Sequence, residues 1–191
     1  MGRYSAAAGG RSGESGEGWS ASINARKKGG KLLGNMLQAL LHKSLTPTQH
    51  LRKTLVATAS YESAVTLLES DPQIDDSYFI VAGTKSGEGA VLARDRNKNV
   101  DTWKLNPNDP NEPNGWFRLQ TNYDHWDPAP TADDRRTPGV AHMVAMGRDA
   151  VTTAAMWKVI KTWPSFNHHT DYSAVFVPAR AEYNATVFMR P

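Results

Sequence analysis

Three short apolar runs, 78–82, 90–93 and 100–105, are separated only by turn-rich breaks, and this pattern restricts the architecture more than any other feature of the chain. The first break is Gly83-Thr84-Lys85-Ser86-Gly87-Glu88-Gly89, and the second is Arg94-Asp95-Arg96-Asn97-Lys98-Asn99. Apolar runs of this length are too short for independent helices. With turn formers between them they predict consecutive antiparallel strands, a β-meander. The glycine-rich break lacks the Gly-Lys-Ser/Thr order of a phosphate loop and leads into a strand, so it reads as a hairpin and not as a nucleotide site.

Helical signals precede the meander. Leu33, Met36, Leu37, Leu40 and Leu41 recur at helical spacing, predicting an amphipathic helix over 31–43. Thr46-Pro47 fits a helix cap and first helical position, and Ser60 fits a second cap before Tyr61, Ala64, Val65 and Leu68; Asp71-Pro72 stops that helix. Upstream, Trp19-Ser20-Ala21-Ser22-Ile23 alternates as a strand does. Beyond the meander, 106–114 is a polar loop, 116–123 regains strand character, 150–162 reads as helix, and 173–177 and 186–189 are short strand candidates. The tally is α+β. At 191 residues one folded body over 19–191 suffices, after a Gly/Ser/Ala-rich lead over 1–18.

Composition excludes several chemistries. The chain has no cysteine, so thiolate catalysis, disulfides and iron–sulfur ligation cannot arise from its own residues. A formal charge of +3 from interspersed signs is a weak argument for a polyanionic partner, and no nucleic-acid motif accompanies the aromatic residues. His125, His142 and His168-His169 follow no metal-ligand spacing, so no metal site is expected. The basic cluster Arg26-Lys27-Lys28 and Lys31 beside the 31–43 apolar face could seat on an anionic membrane surface, although a core-facing helix is the simpler account. Asn184-Ala185-Thr186 is a glycosylation acceptor if the chain enters a secretory route.

The densest polar constellation is Thr121-Asn122-Tyr123-Asp124-His125-Trp126, followed by Asp133-Asp134-Arg135-Arg136-Thr137-Pro138. An Asn amide can donate to a developing oxyanion, and an Arg fork can orient a carbonyl or carboxylate. The second motif also reads as a capped helix start with surface ion pairs. Both readings stand on the residues alone.

These motifs, in this order and together with Tyr78-Phe79-Ile80-Val81-Ala82-Gly83, Gly87-Glu88-Gly89 and Trp116-Phe117, resemble the C-terminal, β-subunit portion of the N-acylethanolamine-hydrolysing acid amidase and acid ceramidase family. Asn122 to Trp126 with Pro128-Ala129-Pro130 favours the amidase branch. The resemblance implies a partial N-terminal-nucleophile hydrolase fold, an αββα sandwich, acting without a cofactor on fatty-acid amide lipids in the lysosome. It implies that Asn122 helps form the oxyanion hole and that Arg135 organises the polar site. It also implies a nucleophilic cysteine, absent here, so the chain is expected to be an inactive fragment of an N-acylethanolamine hydrolase that needs a missing N-terminal segment or α-subunit, the alternatives being an acid ceramidase fragment or a non-catalytic lipid-binding homologue. The family's acidic residue before Arg26 is replaced by Ala25.

Overall fold

The computed structural model describes residues 17–26 and 44–189. The lead over 1–18, apart from Glu17 and Gly18, and the helix expected over 31–43 with its membrane-facing alternative lie outside them. No helix among the described residues is long and apolar enough to cross a membrane.

The meander forms as expected. Strands β1 (Trp19–Ala25), β2 (Ser77–Gly83), β3 (Gly89–Arg94) and β4 (Asn99–Lys104) make one antiparallel sheet in that order. The β2–β3 hairpin is closed by Glu88, whose carboxylate accepts the N–H groups of Thr84 and Lys85, each at 2.9 Å. Gly87 sits at φ +83°, a conformation glycine adopts without steric cost.

Alternation then assigns the two faces of this sheet to two jobs. Trp19, Ala21, Ile23, Phe79, Val81, Ala90 and Leu92 face one way, and helices α1 (Pro47–Ala57) and α2 (Tyr61–Ser70) cover them with Leu51, Ala64, Val65 and Leu68. Both helices start where the sequence predicts. Thr46 and Gln49 form a reciprocal capping box on α1, and Ser60 accepts the Ser63 N–H on α2. The opposite face carries Ser20, Ser22, Asn24, Tyr78, Val91 and Ala93, and the candidate site is built there.

Under α1 lies His50, fully buried, its Nε2 3.1 Å from the Leu67 carbonyl and its ring edge-on to Phe79 at 5.7 Å. Burial holds its pKa below the ordinary 6.5, outweighing the hydrogen bond to the Leu67 carbonyl. A depressed folded-state pKa means that the unfolded chain takes up the proton first. The stability tied to His50 is therefore complete above pH 6.5 and declines as pH falls through the lower folded value. Urea midpoints measured at pH 7.5 and pH 5 should differ less in His50→Leu than in the parent protein. Equal differences would remove His50 from the pH response.

The second half of the chain departs from expectation in three places. No strand spans 116–123; a turn at 113–116 leads into an irregular segment. Its carbonyls at Gln120 and Thr121 are taken by the side-chain amide of Asn24, at 3.1 and 3.2 Å, in place of a ladder partner. A helix, α3 (Arg136–Met146), does follow the Asp-Asp-Arg-Arg motif, as its helix-start reading expects. Its Pro138 occupies the first turn, where the missing N–H has no helical partner to lose. The helix expected over 150–162 is shorter, α4 (Thr153–Ile160), capped by the Thr152 hydroxyl, which accepts the Ala155 N–H. The last strands, β5 (Tyr172–Val177) and β6 (Glu182–Val187), pair as a separate two-stranded antiparallel sheet, with β6 starting four residues earlier than expected. Helix α4 packs against α3 and β5.

Candidate active site

Segment 121–127 is held against the polar face of the sheet by a buried ionic network. Arg26, at the end of β1, donates from Nε and Nη2 to the two carboxylate oxygens of Asp124, at 2.7 and 2.9 Å. Asp124 is fully buried and takes a third hydrogen bond, 2.6 Å, from the Tyr78 hydroxyl of β2. Arg26 also contacts Asp95 at the β3–β4 turn. This is the planar two-pronged geometry that suits guanidinium and carboxylate, with a third acceptor site taken by a phenol. The hydrogen bonds from Arg26 to Asp124 raise its pKa above its ordinary value despite desolvation. Burial, followed by the hydrogen bond to Asp124, raises that of Tyr78. Both donors keep their protons.

From the other side Arg136 clamps the same segment. Its guanidinium donates to the carbonyls of Asp124 (3.1 Å), His125 (3.2 Å) and Asp127, and its central carbon lies 4.8 Å from the centre of the Tyr123 ring. Next to it, Arg135 is braced by Asp133 at 2.9 and 3.2 Å and donates from Nη2 to Asn122 Oδ1 at 2.8 Å. The Asn122 Nδ2 donates to the Ala25 carbonyl at 2.8 Å. Arginine has only donors and a carbonyl oxygen only accepts, so these two neighbours fix which way the Asn122 amide faces. Asp134 accepts the Thr137 N–H at 2.9 Å, and hydrogen bonding from the Thr137 side chain, then from its backbone, holds the Asp134 carboxyl below the usual range. Within this motif Asp134 thus takes a first-turn N–H of α3, while Arg135 reaches Asn122.

Asn122 and Arg135 share the wall of a cavity of about 370 Å³. Ser22 and Asn24 of β1 line it, as do Leu119, Gly139, Val159 and Ile160, and the far wall comes from the 165–176 region, including His169, Asp171, Tyr172 and Phe176. A volume of this order suits part of a small organic ligand, and the lining mixes polar groups with Leu119, Val159, Ile160 and Phe176. Replacing Arg135 by Lys removes the fork that spans Asp133 and Asn122. Exchange of the Asn122 side-chain amide hydrogens should then quicken by about tenfold, the size of one charge-assisted hydrogen bond at the low end of its range. Unchanged exchange would show that Arg135 does not hold the amide.

The other sequence-level candidates lie apart from this wall, except His169. His125 is paired with Asp101 at 3.0 Å and stacked on Trp103 with ring centres 4.2 Å apart. His142 is exposed on α3, and Asn184 is exposed on β6 opposite Val175. Among the described residues no group of His, Asp or Glu is arranged to hold a metal. Sequence reasoning missed the Arg26–Asp124–Tyr78 network, and also the polar row of β1. That row had a signal: Ser20, Ser22 and Asn24 occupy every second position opposite Trp19, Ala21 and Ile23.

Comparison with known proteins decides the family. No family model matches the chain. The mouse (Mus musculus) N-acylethanolamine-hydrolyzing acid amidase is 39% identical over 158 residues, 82% of this chain and 42% of that protein. The acid ceramidase of Balaenoptera acutorostrata scammoni is 34% identical over 133 residues, 70% of this chain and 33% of its own length. A solved structure of the Caenorhabditis elegans N-acylethanolamine-hydrolyzing acid amidase ortholog superposes with a TM-score of 0.72 at 28% identity, covering 91% of this chain and 74% of that one. The chain belongs to the N-acylethanolamine-hydrolysing acid amidase and acid ceramidase family. Its fold is accordingly α+β, part of the N-terminal-nucleophile hydrolase sandwich, and the family is one of amide hydrolases. The chain spans less than half the length of these curated relatives.

Proposed function

We propose that this chain forms the carbonyl-orienting side of an amidohydrolase site that cleaves N-acylethanolamines to fatty acid and ethanolamine. The observation that carries the reading is the Asn122 amide, held between Arg135 and the Ala25 carbonyl on the cavity wall. Its Nδ2 carries two hydrogens and gives one to Ala25, which leaves one for a substrate oxygen. A donor fixed before reaction stabilises an oxyanion without reorganising, and removing such a donor costs about 10²–10³ in kcat. Arg135 then acts as the group that aims Asn122. The apolar lining of Leu119, Val159, Ile160 and Phe176 takes the acyl chain, each buried methylene contributing about 0.8 kcal/mol.

The attacking group comes from outside these 191 residues, because the family's thiolate chemistry needs a cysteine that the composition lacks. A segment or subunit bearing that group is thus the proposed partner. The higher identity over a longer span with the amidase than with the ceramidase supports an N-acylethanolamine ahead of ceramide as substrate. A lysosomal setting and a glycan on the exposed Asn184 belong to the same proposal.

Incubating the purified chain with radiolabelled N-palmitoylethanolamine tests it. The expected result is saturable binding, displaced poorly by ceramide, with no released ethanolamine. Robust turnover would contradict the external attacker and direct attention to Ser22, Ser165 and Ser173 on the cavity wall. Stronger displacement by ceramide would favour the ceramidase branch. Absence of lipid binding would reject the cavity as an acyl-amide site.

A further inference from the structure

We propose that Leu119, resting on Gly139, sets how much of an acyl chain the cavity accepts. The inference rests on the acyl-amide reading above. Gly139 is buried on α3, one helical turn beyond Arg135, and its N–H donates to the Arg135 carbonyl at 3.3 Å. Positions four apart lie on one helix face, so this glycine marks the stretch of wall next to the Arg135–Asn122 pair. Leu119 approaches the same point from the irregular segment, three residues before Asn122. Both residues line the cavity.

A Cβ on Gly139 would fall 2.6 Å from Leu119 Cδ1, 3.5 Å from Cδ2 and 3.7 Å from Cγ, and no other residue supplies one of these nearest atoms. Contact at 2.6 Å between carbons is well inside the 3.5–4.0 Å optimum, so something must move. The obstacle is the end of a flexible side chain and not backbone, so Leu119 is the group that yields. Leu119 is half-buried and lines the cavity. A side chain pushed off Gly139 therefore turns toward Val159, Ile160 and Phe176 and takes up space that the cavity now leaves free. The bare glycine keeps Leu119 flat against α3 and the channel beside Asn122 deep.

The pair is separable from the polar machinery. Asn122 and Arg135 keep all their hydrogen bonds when Leu119 moves, so a short-chain amide still reaches them. A long chain loses its innermost methylenes, each worth about fourfold in affinity. Binding of N-hexanoylethanolamine and N-palmitoylethanolamine to the parent chain, Gly139→Ala and Gly139→Ala/Leu119→Ala tests this. The palmitoyl amide should bind Gly139→Ala at least about tenfold more weakly, and the double variant should regain most of that loss. The hexanoyl amide should change by less than about twofold, because fewer methylenes are at stake. Equal losses for both lipids, or no recovery in the double variant, would overturn the proposal.

A lipid-free readout distinguishes failure of this proposal from failure of the acyl-amide reading. Alanine is the better helix former at position 139, so the variant should fold. In Gly139→Ala, NOEs from the Leu119 methyls to Val159 and Ile160 should strengthen relative to the parent protein. Unchanged NOEs would overturn the proposal whether or not either lipid binds. If the NOEs shift while neither lipid binds the parent chain, the Leu119 movement stands, the acyl-amide reading falls, and the chain-length role falls with it.

Discussion

Asp124→Asn should lower the stability of the folded chain by about 3–5 kcal/mol, the cost of leaving a buried charge without its partner. The substitution keeps size and shape but removes the negative charge and turns one of the two acceptor oxygens into an NH2 donor. Arg26, 3% exposed at its side chain, would then face Asp95 alone, and Asp95 is 39% exposed. Its two-pronged bond would become a single neutral contact, and the Tyr78 hydroxyl would lose its charged acceptor. Chemical denaturation followed by tryptophan fluorescence measures the loss. A double variant, Arg26→Met with Asp124→Leu, should be less destabilised than Asp124→Asn, because an apolar pair leaves no orphaned charge. The reverse order would mean that Arg26 finds water or another partner in the single variant.

Phe79→Ala should cost a comparable amount, about 3–5 kcal/mol, through the cavity left beneath α1 and α2. Phe79 is fully buried among Leu51, Ala64, Val65 and Leu68 and meets the His50 ring edge-on. Its neighbour Tyr78 points to the opposite face, toward Asp124. The two substitutions on adjacent residues therefore separate the functions of β2. Phe79→Ala should shift the global unfolding midpoint strongly while native-state spectra of Asn122 and Arg135 stay close to those of the parent. Tyr78→Phe keeps the ring and loses one charge-assisted hydrogen bond, costing about 1.5–3 kcal/mol, and should perturb the Asn122 region most. Native-state spectra and urea midpoints of both variants check the division. Matching perturbations of Asn122 would show that the two faces are not independent.

What could be read from the residues alone follows the range of the interactions concerned. Caps at Thr46 and Ser60 and the turns of the meander act over three to six residues, so the sequence displays them directly. The strand expected over 116–123 failed because apolar content there serves the irregular segment, whose carbonyls are claimed by Asn24 nearly a hundred residues upstream. The start of helix α3 was legible in the Asp-Asp-Arg-Arg motif, but its extent was hidden by Pro138 and Gly139, residues that lower helix propensity. One is harmless in the first turn, and the other is retained where Leu119 lies too close for a side chain. Arg26 and Asp124 are 98 residues apart, and no local pattern announces their pairing. Asn122 and Arg135 came from family resemblance; their 2.8 Å contact came from the structure.

The same separation explains how the site is arranged. Segment 121–127 has no ladder to stiffen it, and instead Arg26 holds it from the sheet while Arg136 holds it from α3. Asn122 sits in that braced segment with its amide oriented by two further neighbours. A donor supported in this way can meet a carbonyl oxygen with little loss of side-chain freedom, which is the physical requirement for polarising an amide.

The most direct test is the carbon-13 shift of N-palmitoylethanolamine labelled at its carbonyl and bound to the chain. A downfield displacement that disappears in Asn122→Ala, with no fatty-acid signal growing in over time, is the predicted result. A bound carbonyl resonance that is the same in the parent and in Asn122→Ala, or the steady appearance of free palmitate, would contradict the account.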